Sequence, residues 1–121
     1  MVVLVPTRED VLAIRSIDEA FDVSTTKIRK GEVALIRVAY DANLLDLTEH
    51  AIVEADDEMI PRSSVKRVAG RGKAMSKDVD ERLERRIGIN MEGDILDRRR
   101  IRTKVSWDDG YFAVTVYTIP S

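Results

Sequence analysis

A chain of 121 residues, 44% hydrophobic and 35% charged, is sized for one domain, 1–121, with a real core and a well-solvated surface. Its 20 Lys and Arg against 22 Asp and Glu leave a formal charge of −2, which excludes a global basic footprint for nucleic acid. With no cysteine, disulfides, thiolate metal sites and cysteine nucleophiles are excluded, and no stretch approaches the roughly 20 apolar residues of a membrane helix.

Met1 to Val5 reads as a short strand stopped by Pro6, too short for the core of a signal peptide. Thr7, with Asp10 three residues on, predicts a capped helix start. Val11, Ile14, Ile17 and Phe21 then recur at helical spacing, so a helix is expected over 8–21. Ile17 to Lys30, IDEAFDVSTTKIRK, resembles the core of a helix-turn-helix, in which Val23-Ser24-x-x-x-Ile28 opens a recognition helix. That resemblance implies DNA reading by the second helix. Asp18 and Asp22 stand where the pattern has a small residue and a glycine. The same stretch also reads as a helix end followed by a polar Ser24-Thr25-Thr26 loop, and this is the reading we take.

Lys30-Gly31 then breaks the chain. Glu32 to Tyr40, EVALIRVAY, has apolar residues at both parities, and its β-branched members favour a strand covered on both faces. Periodicity leaves a helix open as the alternative. Asp41 caps a helix expected over 42–59, with Leu45, Thr48, Ile52, Ala55 and Met59 on one side and Pro61 ending it. Residues 62–77 hold six cations, no anions and two glycines, and are expected to form a loop or loose β-arm. Ser76 then caps a third helix on which Val79, Leu83 and Ile87 stack, with acids in its first turn and Arg85 and Arg86 in its last. Gly88 closes it, and Met91 to Asp94 turns the chain.

Asp109-Gly110, between runs of β-branched and aromatic residues, predicts a terminal hairpin. A two-residue turn opposes Trp107 to Phe112, Val105 to Val114, Thr103 to Val116 and Ile101 to Thr118, giving one apolar face. A three-residue loop over 108–110 opposes Ser106 to Phe112 and mixes the faces. Because a one-residue slip inverts a strand, the two-residue register is expected, with Trp107 and Phe112 in the core. The whole predicts an α+β fold: a small mixed or antiparallel sheet with a C-terminal hairpin and about three helices packed on it. The layout resembles that of small phage neck or tail-completion proteins, which implies an assembly role in a cytoplasmic or virion-associated setting.

Chemical constellations are few. Asp46, His50 and Glu54 are spaced i, i+4, i+8 on the expected second helix, but no second histidine supports a metal site and a solvated face is expected. Ser63 and Ser64 lack a nucleophile elbow, and Gly70-Arg71-Gly72-Lys73 lacks the spacing of a phosphate loop. No catalytic residue, metal or cofactor is therefore assigned. Two basic clusters stand out: Arg62, Lys66, Arg67, Arg71, Lys73 and Lys77, then Arg98, Arg99, Arg100, Arg102 and Lys104. Glu54, Asp56, Asp57 and Glu58 form an acidic patch. This asymmetry predicts a non-enzymatic assembly module, a homo-oligomer or adaptor, whose basic arm meets a neighbour's acidic helix and whose final strand offers a free edge. The alternative is a DNA- or RNA-binding regulator using 62–77 and 98–104. A small carboxylate enzyme is a remote third reading.

Overall fold

The computed structural model describes residues 5–80 and 86–120. Its helices are α1 (Arg8–Leu12), α2 (Ile17–Ala20), α3 (Lys30–Asp41), α4 (Glu49–Asp57) and α5 (Arg62–Arg71). Its strands are β1 (Leu45–Leu47), β2 (Lys73–Asp78), β3 (Gly88–Asp94), β4 (Arg100–Trp107) and β5 (Tyr111–Thr118). They form one mixed sheet in the order β1-β5-β4-β3-β2, with β1 parallel to β5 and every other pair antiparallel. The expected α+β architecture is present, with the long helices α3, α4 and α5 joined by two single-turn ones. None of these helices is long and apolar enough to cross a membrane.

The core lies between the sheet and α5, which runs across β1, β3, β4 and β5. Ile101, Thr103 and Val105 alternate inward from β4, Ile89 and Met91 from β3, and Tyr111, Ala113 and Val116 from β5. Val65, Val68 and Ala69 meet them from the helix. Sequence reading expected a loop or loose β-arm over 62–77 because that stretch holds six cations, no anions and two glycines. The buried residues of α5 nonetheless sit at i, i+1, i+4, i+5 and i+6 from Ser64, while Arg62, Lys66, Arg67 and Arg71 face out. Gly70 lets α3 approach: a Cβ there would lie 2.2 Å from Tyr40 Cγ.

Several other expectations are corrected. Residues 32–40 are helical, because Glu32 sits three residues past the N-cap Arg29 and accepts its backbone N–H at 2.7 Å. Local β propensity yields to that cap and to the burial of Ile36 and Ala39. Asn43, at φ 59, then ends α3 in the left-handed region. The helix expected over 42–59 is therefore split. Leu45 and Leu47 point inward with Asp46 outward as a three-residue strand, and Thr48, accepting the Ala51 N–H, caps the true α4.

Near the start, the Thr7–Asp10 capping box is present, but the helix it opens stops at Leu12 and re-forms only as α2. Residues 21–29 form no recognition helix, so the helix-turn-helix resemblance does not extend to structure. Ser76 lies in β2 rather than capping a helix, and Met91 to Asp94 belong to β3 rather than to a turn. The expected opening strand falls largely, and the body of the third helix over 81–85 entirely, outside the described residues.

Both hairpin registers occur in one hairpin. From Ile101↔Thr118 to Lys104↔Thr115 the pairing follows the two-residue prediction. A shift between Lys104 and Val105 then carries Val105↔Ala113, Ser106↔Phe112 and Trp107↔Tyr111 into the three-residue register. Asp109, at φ 53, supplies the left-handed residue of that loop. The aromatic ring in the core is consequently Tyr111, edge-on to Phe21 with centroids 6.2 Å apart, whereas Phe112 is half-buried and Trp107 packs at the margin.

Candidate functional site

The fold uses most of the charges singled out in the sequence within the chain itself. Arg62 pairs with Asp56 at 3.2 Å, Lys66 with Asp46 at 3.6 Å, and Arg71 with both oxygens of Asp41 at 2.5 and 2.6 Å. Arg100 and Arg102 converge on Glu92, Arg100 also reaches Asp94, and Lys104 holds Asp78 at 3.0 Å. Arg67 donates to the Asp94 carbonyl. The two guanidiniums, Arg102 foremost, hold the Glu92 carboxyl below its ordinary range. Of the first cluster Lys73 has no partner for its side chain among the described residues and Arg67 has only that backbone carbonyl, and of the second only Arg98 has none.

Lys77 lies apart from the surface clusters. Its ammonium is fully buried and donates to both Glu32 oxygens, at 2.9 and 3.2 Å, and to the Asp22 carbonyl at 3.0 Å. Glu32 also accepts the Asp22 N–H at 2.7 Å. Asp22 is in turn held at a pKa of about 2 by Ser24 and Arg29. This cluster ties β2 and α3 to the loop over 21–29. Tyr111, whose phenol is pushed up by burial and by the nearby Glu32, lies in the core beside Phe21.

Nor is the final strand a free edge. β5 lies between β1 and β4, and past the end of β1 its amides are taken by α4. Glu54 accepts the Val116 N–H and Glu58 the Thr118 N–H, each at 3.1 Å. These two members of the acidic patch thus close a strand edge, and Asp56 holds Arg62. Only Asp57 has no partner among the described residues. The opposite edge, β2, is guarded by a bulge at Met75 and by the inward Lys77.

One end of the molecule is built differently. The β3–β4 turn is closed by Ile95 N–H to Arg99 O at 2.8 Å and Arg98 N–H to Ile95 O at 3.0 Å. Arg99 bonds Asp97 at 2.7 Å and donates to the carbonyls of Glu58 at 2.6 Å and Met59 at 2.9 Å, capping the C-terminus of α4. It therefore fixes the turn against the α4–α5 junction. Beside it Leu96 is 96% exposed and Met59 77% exposed. Met59 and Arg98 hold left-handed backbone, at φ 55 and 70, where glycine would be relaxed. Each such non-glycine residue costs on the order of 1 kcal/mol. The fold thus carries two outward side chains at unfavourable positions, beside an exposed leucine, where Arg99 ties the turn to the end of α4.

Sequence reading placed Met59 on one side of a helix, in line with Leu45, Ile52 and Ala55, and gave Leu96 no role. The available signal was the Ile95-Leu96 pair directly before Asp97: in a tight turn two adjacent apolar residues cannot both face inward. His50 is exposed on α4 with Nε2 3.4 Å from Glu54, and Asp46 belongs to β1, so the three do not share a helix face. Among the described residues no group of His, Asp and Glu is arranged to hold a metal ion. Comparison of the chain with protein-family models, curated proteins and solved structures gives no match.

Proposed function

We propose that the chain is a non-enzymatic assembly or adaptor module, docking on a protein partner through the end that carries Met59 and Leu96. The observation behind this is the combination at that end: apolar side chains in water, a backbone fixed by Arg99, and left-handed strain at Met59 and Arg98. Preorganised apolar anchors are what association rewards, since little freedom is lost on binding. A cytoplasmic or virion-associated setting suits such a module. Phosphate recognition is the poorer fit, because eight of the eleven cations in the two clusters, Arg62, Lys66, Arg71, Lys77, Arg99, Arg100, Arg102 and Lys104, already hold carboxylates. A nucleic acid would have to displace them.

The test is a photo-crosslinking side chain at position 96, with the exposed Lys27 position as control, in the cells or particles that contain the protein. A discrete protein adduct at 96 and none at 27 is expected. No adduct at 96, or equal adducts at both, would overturn the reading. A mobility shift with generic duplex at low salt would move the assignment to the regulator.

A further inference from the structure

We infer that the partner at this end is a second copy of the same chain, joined through a two-fold axis; this rests on the docking reading above. The charges around the patch carry the inference. Asp56 is taken by Arg62, Asp97 by Arg99, and Glu58 by the Thr118 amide. Two charges remain without a partner among the described residues, and they are of opposite sign: Asp57 at the end of α4 and Arg98 in the turn. They come from the two segments that Arg99 joins, one flanking Met59 and the other following Leu96.

A patch with an apolar centre, one free carboxylate and one free guanidinium complements itself. A two-fold operation repeats every contact, so Arg98 of each copy meets Asp57 of the other while Met59 and Leu96 pack between them. An unrelated acidic or basic partner would satisfy one of these charges and oppose the other. The contact involves few apolar side chains, so it belongs among small interfaces, with micromolar or weaker affinity.

Charge reversal tests this on the purified full chain, with light scattering over a concentration series at low and moderate salt. The variants are Arg98→Asp, Asp57→Arg and the two combined, each checked for an unchanged unfolding temperature. Either single change places like charges opposite one another twice and is expected to weaken dimerisation by about tenfold or more. The combined variant is expected to restore it. An equal mixture of the two single variants is expected to pair better than either alone, because each then meets its complement. Single variants that dimerise like the original, or a combined variant that fails to recover, would overturn the inference.

The adduct at position 96 separates this from the docking reading. A mass of twice the 13.7 kDa chain supports self-association. An adduct of another mass, with the purified protein monomeric throughout, overturns the second-copy inference and leaves docking standing. Absence of any adduct removes both.

Discussion

Among single residues, Lys77 and Glu32 carry the largest consequence. A buried ion pair adds little over a well-packed apolar pair, but removing one partner strands the other charge in a dry core. Lys77→Met is therefore expected to cost about 3–5 kcal/mol in denaturant unfolding, with the loop over 21–29 loosened because Lys77 also holds the Asp22 carbonyl. A variant within about 1 kcal/mol of the original would show that the pair is solvated. Glu92 offers a pH readout. Its carboxyl is depressed from 4.5 by Arg102 and Arg100. A depressed folded pKa adds stability that is fully present above the unfolded value and is lost as pH falls through the folded one. The difference in unfolding temperature between the original and Glu92→Gln is expected at pH 7 and should shrink as pH drops below 4.5 and through the depressed folded value. A difference that persists into acid would mean that the guanidiniums do not set it.

At the scale of elements, two glycines separate packing from propensity. At Gly70 an added Cβ would press on the root of the Tyr40 side chain, so Gly70→Ala is expected to cost about 1–3 kcal/mol by forcing α3 and α5 apart. At Gly31, in the first turn of α3, an added Cβ meets nothing within 4 Å, and Gly31→Ala is expected to stabilise by about 0.5–1 kcal/mol. Thermal unfolding of the two variants checks both, and equal effects would refute the packing account. The elements most legible in the sequence were those with local chemistry to announce them: the Thr7–Asp10 box and the Asp109-Gly110 hairpin. Those misread depended on distant partners. Residues 32–40 became a helix through a cap that also binds Asp22, and β1 exists only because Tyr111 to Ala113 lie beside it. The small-residue face of α5 was hidden by its own cations. The candidate site was barely legible, since nothing in sequence says that Arg99 would bring a turn at 95–99 onto the end of a helix closing near residue 58.

Across the whole molecule, the charges that suggested assembly through strand edges and a basic arm are largely consumed inside one chain. Glu54 and Glu58 close the β5 edge, a bulge and Lys77 guard β2, and the arginines of β4 lie on Glu92. On the proposed reading, association avoids open-ended strand addition and uses the end where Met59 and Leu96, the former 77% and the latter 96% exposed, stand beside Asp57 and Arg98. The most direct measurement is sedimentation equilibrium, paired with thermal unfolding, on Met59→Gly. Glycine relaxes the left-handed backbone and removes a side chain that is 77% exposed. Stability should hold or rise by up to about 1 kcal/mol while self-association weakens. Association equal to the original, or lost only in step with a fall in stability, would contradict the claim that Met59 is held there for contact.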